Sequence, residues 1–345
     1  MLPGMEDFAE RLIAWQRRCG RRDLPWQGSR DPYRIWISEI MLQQTQVAAV
    51  IPYYLRFIER FPDVACLARA EADEVAACWS GLGYYARARH LHAAARRIMD
   101  EMQGKFPLTA EALVNLPGIG RSTAAAIAVF ATGAHEAILD GNVRRVLARH
   151  RGIEGWPGQR QVEARLWQLA QALMPHRGIE AYTQGLMDLG ATVCLPRVPR
   201  CGECPLQSDC MALAQQITHR LPAPRPARPP RREHWWLVQY RHAGEIWLSR
   251  RPARGIWGGL WCFDQLAQAE DFSRLCHEQW GVAAQESVTG ERFIHVLTHR
   301  LLEIVPVRVE LAQAPQIHRN GRWLSSQAAA ALALPAPVRR LLDVI

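Results

Sequence analysis

Through the first 220 residues apolar positions recur at the three-to-four spacing of a helix face, and Gly and Pro turns cut the pattern into separate stretches. Little of this part alternates residue by residue, as a half-buried strand would, so an all-helical region is predicted. Asp31-Pro32 has the form of an N-cap followed by proline in the first turn, opening one or two helices over 33–54. Further helices are predicted over 85–102, 122–131, 143–150 and 161–173. The pattern stops at Leu221-Pro222-Ala223-Pro224-Arg225-Pro226-Ala227-Arg228-Pro229-Pro230, whose prolines exclude an element interior and predict an extended linker. Beyond it, Trp235-Trp236-Leu237-Val238-Gln239-Tyr240 and Glu245-Ile246-Trp247-Leu248-Ser249-Arg250 predict strands about a turn, and Leu301-Leu302-Glu303-Ile304-Val305 another. The chain therefore divides into a mainly α domain over 1–220, a Pro- and Arg-rich linker over 221–232 and a smaller α+β domain over 233–345.

Composition narrows the classes. With 345 residues, 49% of them hydrophobic, the chain can bury more than one core. No uncharged apolar run reaches the roughly eighteen residues of a membrane span, and Met1-Leu2-Pro3-Gly4-Met5-Glu6-Asp7 lacks the form of a secretion signal. A cytoplasmic, bacterial protein without membrane contact is expected. A formal charge of +9 favours a polyanionic partner. Lys105 is the only lysine, so chemistry that needs a lysine amine as covalent nucleophile has almost nothing to draw on. Of nine cysteines, Cys194, Cys201, Cys204 and Cys210 crowd together, which reads as a metal site rather than a disulfide framework.

Three segments carry candidate chemistry. Leu116-Pro117-Gly118-Ile119-Gly120-Arg121-Ser122-Thr123-Ala124 lies between two helical patterns, so Gly118 and Gly120 form a tight hairpin into a helix N-terminus. Its free N–H groups suit a DNA phosphate; a Gly-rich turn between packed helices is the plainer alternative. Twenty residues on, Asp140 stands where an N-cap would, before Gly141-Asn142-Val143-Arg144-Arg145. It either caps the helix or faces the sugar of an extruded nucleotide, where a carboxylate stabilises oxocarbenium-like charge. Glu39 is the one acidic residue in Ile35-Trp36-Ile37-Ser38-Glu39-Ile40-Met41-Leu42-Gln43-Gln44-Thr45-Gln46-Val47. Desolvation there raises a carboxyl's pKa, and a protonated carboxyl can give its proton to a leaving group; a buried glutamate satisfied by a partner is the alternative. Two carboxylates in unlike surroundings let one act as acid while the other stays ionised.

Together with Gly81-Leu82-Gly83-Tyr84-Tyr85-Ala86-Arg87-Ala88-Arg89, these segments resemble the MutY branch of the helix-hairpin-helix DNA glycosylases, over nearly the whole chain. The resemblance implies a helix-hairpin-helix glycosylase fold with an iron-sulfur subdomain, and a monomeric, monofunctional enzyme of base excision repair. Its implied substrate is double-stranded DNA, from which it removes adenine mispaired with 8-oxoguanine or guanine. It implies that Glu39 is the general acid and base and that Asp140, with Asn142 beside it, answers the sugar cation. Arg22, Trp26 and Gln184 would line the adenine pocket, and flipping the base into it would expose a bond otherwise shielded by stacking. Leu42, Gln43, Gln44, Thr45, Leu82 and Tyr84 would meet the duplex and the 8-oxoguanine, and Gly118, Gly120 and Ser122 the backbone. Relatives of the endonuclease III type carry lysine where this chain has Ser122; Ser122 cannot form their Schiff base.

The cysteine spacing C-x6-C-x2-C-x5-C matches the single four-iron four-sulfur cluster of this glycosylase group, with zinc as the alternative four-thiolate occupant. The tail resembles a Nudix-like recognition domain through Gly255-Ile256-Trp257-Gly258-Gly259-Leu260-Trp261-Cys262-Phe263 and Phe293-Ile294-His295-Val296-Leu297-Thr298-His299. It lacks the clustered glutamates that would hold magnesium, so recognition rather than catalysis is expected there. Where the family has Phe-Ser-His against 8-oxoguanine, this chain has Leu297-Thr298-His299, keeping a hydroxyl and an imidazole but losing the ring. Two rival readings are an endonuclease III-like glycosylase/lyase and a non-catalytic iron-sulfur protein that binds DNA.

Overall fold

The computed structural model describes residues 5–226, 229–268, 271–315 and 319–342; Met1–Gly4, and Ala227 and Arg228 of the expected linker, lie outside them. Helices come first: α1 (Met5–Cys19), α2 (Pro32–Leu42), α3 (Val47–Arg60), α4 (Val64–Arg69), α5 (Ala72–Cys78), α6 (Ala86–Met102), α7 (Ala110–Leu113), α8 (Arg121–Thr132), α9 (Gly141–His150), α10 (Arg160–Ala172), α11 (Ile179–Thr192) and α12 (Met211–Ala214). Strands and helices follow: β1 (Arg231–His242), β2 (Glu245–Arg250), β3 (Trp261–Cys262), β4 (Asp264–Leu266), α13 (Phe272–Trp280), β5 (Ala284–Thr289), β6 (Phe293–Leu297), β7 (Arg300–Leu311), β8 (Gly321–Ser325), α14 (Ser326–Ala330) and α15 (Ala336–Leu341). None of the described helices is long and apolar enough to cross a membrane.

The chain folds into two compact units, one of residues 1–69 and 90–227, the other of residues 70–89 and 228–345. The segment 70–89, which the sequence pattern leaves inside the helical domain, thus groups with the C-terminal residues. Arg231 and Arg232, assigned above to the linker, open β1.

In the first unit α2 starts as its sequence dictates. Asp31 accepts the Tyr33 N–H at 2.9 Å, and Pro32 stands at the first helical position, where a missing N–H costs nothing. Tyr33, Ile35, Trp36, Ile37, Ile40 and Met41 are buried, each large side chain contributing roughly 1.5–3 kcal/mol. The main core joins α1, α8, α9, α10 and α11 through Phe8, Leu12, Val143, Leu147, Leu166 and Leu189. Neither α1 nor α11 figures among the predicted helices. Gly185 and Gly190 interrupt the pattern of α11 because the packing needs them: a Cβ on Gly185 would lie 3.1 Å from Leu12, and one on Gly190 only 2.5 Å from the Asn142 Cβ.

In the second unit the sheet runs β3-β2-β1-β7-β5, with β4 on β1, β6 on β7 and β8 on β2. Its spine is the parallel pair β1 and β7, in register from Arg231 with Arg300 to Arg241 with Glu310. β1 is buried on both faces: Trp235 and Leu237 enter one core with Leu334, Val338 and Leu341, while Val238 and Tyr240 enter another with Cys276 and Trp280. Helices therefore cover both sides of this sheet, which explains the continuous apolar run that marks it in the sequence.

Candidate active site

The C-terminal half of α2, the loop over 21–30 and the start of α11 enclose a cavity of about 370 Å³ lined by Arg21, Arg22, Trp26, Glu39, Leu42 and Gln184 among others. Trp26 forms a buried wall, its ring edge-on to Tyr54 at 5.2 Å. The loop is pinned by Gln27, whose amide donates to the Arg21 carbonyl at 3.1 Å and accepts the Leu24 N–H at 3.2 Å. Asp188, at 0% exposure, anchors the polar side. It accepts the Arg21 N–H at 2.9 Å, the Arg21 guanidinium at 2.7 Å and the Gln184 amide nitrogen at 2.9 Å. With its nitrogen so engaged, Gln184 has its carbonyl oxygen left for a ligand.

Glu39 belongs to this cavity and Asp140 lies close enough to act on it. Burial pushes the Glu39 carboxyl up to about 8, and the negative charge of Asp140 adds to the shift. Asp140 is the N-cap of α9, accepting the Val143 N–H at 2.8 Å. Burial raises its pKa too, but the Val143 and Asn142 N–H groups and the Arg145 and Arg144 guanidinium groups pull the other way. Of two interacting carboxyls, the one with donors and cations around it keeps the charge, so Glu39 holds the proton and Asp140 the anion. Asn142 follows the cap, and its side-chain oxygen accepts from Arg145 at 2.8 Å.

The first turn of α8 joins the two carboxylate-bearing segments. The Ser122 hydroxyl accepts the Leu139 N–H at 2.9 Å, one residue before Asp140. Thr123 accepts the Gln43 amide at 3.3 Å, directly after α2. Ser122, assigned above to the DNA backbone, is therefore engaged inside the protein. Gly118 has φ +79°, and a Cβ there would lie 2.7 Å from the His90 Cβ. Gly120, the N-cap of α8, has ordinary φ and open space where a Cβ would go. Gln44 is exposed with φ 59°, and Thr45 closes the same turn through its N–H to Leu42.

Cys194, Cys201, Cys204 and Cys210 line one further cavity. Burial raises Cys201 and Cys210 and pushes Cys204 up to about 12, and neighbouring cysteines add to each shift. Thiols crowded in this way favour a positive charge among them. Buried Arg149 supplies one cation, its guanidinium 3.4 Å from the Cys194 sulfur and bonded to the Leu195, Pro196 and Leu221 carbonyls. Among the described residues no group of three or more His, Cys, Asp or Glu is drawn together as a single ion requires. Four thiols lining one cavity, with a cation beside them, are the donor set that an iron-sulfur cluster uses.

Residues 37–172 match the family of HhH-GPD superfamily base excision DNA repair proteins, and residues 234–344 match the NUDIX domain. An adenine DNA glycosylase of Buchnera aphidicola (subspecies Schizaphis graminum) is 33% identical over 98% of this chain and 98% of its own length. The chain belongs to the adenine DNA glycosylase family. The adenine DNA glycosylase of Mus musculus is 35% identical over 92% of this chain and 74% of its own. Among solved structures, a thermostable thymine-DNA glycosylase superposes with TM-score 0.56 at 30% identity, over 61% of this chain and 97% of its own. As a DNA glycosylase the protein is an enzyme of base excision repair whose partner is DNA, and it carries a Nudix-like domain after the helical one.

Seen as a glycosylase, the first unit gathers Arg22, Trp26, Glu39, Leu42 and Gln184 at one cavity, with Asp140 near enough to act on Glu39, whereas Asn142 lies against Gly190 and accepts from Arg145. The sequence reading missed Arg21 and Asp188. Arg22 lines the cavity as well, but its guanidinium turns to the Arg18 carbonyl in an exposed bond, whereas Arg21 is locked by the buried carboxylate. In the second unit Tyr84 is 49% exposed and Leu82 only 7%, so Leu82, expected at the duplex, is instead buried. Thr298 and His299 form the exposed two-residue turn between β6 and β7, and Leu297 packs against the core.

Proposed function

We propose that the protein hydrolyses the N-glycosidic bond of adenine opposite 8-oxoguanine, or guanine, in duplex DNA. The observation that carries this reading is the pair Glu39 and Asp140, one carboxyl raised to about 8 inside a cavity with room for a purine, the other beside it at a helix N-terminus, where backbone N–H groups and two arginines favour its charge. Adenine flipped into the cavity would stack on Trp26 and offer its exocyclic amine to the Gln184 carbonyl oxygen. Arg21 and Arg22 supply donors along the same wall. Glu39 gives its proton to N7, and the electron pair of the C1′–N9 bond leaves with the neutral base. Asp140 faces the positive sugar, and Glu39, now ionised, takes the proton from the water that adds to C1′.

The remaining predicted roles follow from exposure. Gln43, Gln44 and Thr45 at the end of α2, the N–H groups of the Gly118–Gly120 hairpin, and Tyr84 would engage the duplex. Thr298 and His299 at the tip of the β6–β7 hairpin would read 8-oxoguanine, giving the domain after the linker its role in lesion recognition. Cys194, Cys201, Cys204 and Cys210 would hold one four-iron four-sulfur cluster, which when bound supplies a cross-link between the end of α11 and the loop over 194–210. A monomer working in the cytoplasm on the nucleoid fits this reading.

Glu39→Gln tests it. Single-turnover excision from duplexes with adenine opposite 8-oxoguanine should fall by about 10³-fold with unchanged affinity for the same duplex. Undiminished excision in the variant would overturn the assignment.

A further inference from the structure

Within the second unit, the segment 70–89 ends in a turn whose backbone is left-handed at three of four residues: Gly81 has φ 99°, Gly83 φ 78° and Tyr84 φ 49°. Glycine takes such angles freely; a tyrosine does not, and holds one only where its surroundings impose it. Here they do. The Gly83 carbonyl accepts two donors, the Trp79 indole N–H and the Arg87 guanidinium, each at 3.1 Å. The same guanidinium lies over the Tyr84 ring at 5.5 Å and the Trp79 ring at 5.3 Å.

The turn is also tied to the C-terminal residues of its own unit. The Tyr85 hydroxyl accepts the Gly81 N–H at 3.1 Å and donates to the Leu334 carbonyl at 3.3 Å. Ser80 accepts from Arg339 at 3.0 Å, and Arg339 is itself held by the Ala330 and Leu332 carbonyls. Asp73 pairs with Arg250 at 2.9 Å, and Arg89 donates to the Gly258 carbonyl. Among these ties Tyr85 is distinctive, because one oxygen grips both the backbone of the turn and the segment after α14.

We propose that Tyr85 is a positioning residue: its hydroxyl fixes the Gly81–Tyr84 turn to the C-terminal domain, so that Tyr84 meets the duplex already in the conformation it uses there. The role of Tyr84 in this statement rests on the function proposed above; the anchoring does not. The consequence for the reaction is that the residue entering the duplex and the domain reading the lesion move as one piece, and affinity is not spent on ordering the turn at each encounter.

Tyr85→Phe keeps the ring and removes the bridging oxygen. In the free protein, hydrogen exchange at the Gly81 amide should accelerate by about tenfold or more while amides of α9 are unmoved. Unchanged exchange at Gly81 overturns the proposal whatever the DNA result. For the second arm, affinity is measured on a duplex carrying 2′-fluorinated adenosine, which resists hydrolysis, opposite 8-oxoguanine. Tyr85→Phe should lose about fivefold, and the double variant with Tyr84→Ala should bind no worse than Tyr84→Ala alone, since both act through one ring. Additive losses would reduce Tyr85 to a general structural role and overturn the proposal. If Tyr84→Ala binds as the parent does, the placement of Tyr84 in the duplex fails, and the exchange measurement still decides whether Tyr85 holds the turn.

Discussion

Glu39 and Asp140 are the same functional group in two surroundings, and the difference sets a pH profile. Glu39 titrates at about 8, above its ordinary 4.5, so its protonated, working form is lost as pH rises through 8. Single-turnover excision should therefore fall about tenfold per pH unit above that point. Asp140 must be ionised, and burial raises it as well, so an acid limb should appear above the range of an exposed aspartate. A rate that stayed level from pH 6 to pH 10 would contradict the assignment of the acid. Both residues could be picked from the sequence because each stands out locally, one as the single acid of an apolar helix, the other as a cap before an arginine-bearing helix. Asp188 could not: it lies 167 positions from Arg21, the partner that gives it meaning, and nothing local favours Arg21 over Arg22.

Among elements, the hairpin into α8 shows how similar letters differ in purpose. Gly118 is demanded by the protein itself, through its positive φ and the Cβ of His90, whereas Gly120 faces empty space. Gly118→Ala should destabilise the fold by about 1–3 kcal/mol, and Gly120→Ala should leave stability within about 0.5 kcal/mol while weakening binding to duplex DNA. Thermal unfolding and a binding titration on each variant separate the two; equal loss of stability in both would refute the distinction. Sequence periodicity placed α2, α6, α8, α9 and α10 because their apolar stripes are uninterrupted. It passed over α11, whose interior glycines exist to let Leu12 and Asn142 approach, a requirement that only the packed neighbours reveal.

For the molecule as a whole, the cysteine cavity ties α9, α11 and the loop over 194–210 together around buried Arg149. Cys204→Ser should lower the iron content, reduce the unfolding midpoint by about 10 °C and weaken the hold on DNA, because binding energy at such a site is folding energy. Iron assay and calorimetry on the purified variant check this; full stability at zero iron would show that the thiols need no occupant. The spacing of these cysteines was plain in the sequence, as was the change of composition after residue 220. What the sequence hid was that residues 70–89 leave the helical unit to join the other one, since their own pattern is simply helical.

That interleaving imposes an order on manufacture. A ribosome delivers residues 70–89 well before Leu334 and Arg339, to which Tyr85 and Ser80 are bonded, have been translated, so these ties can form only once the chain is nearly finished. A nascent chain halted at the linker would hold the Tyr85 and Ser80 hydroxyls without the Leu334 and Arg339 ends of their bonds.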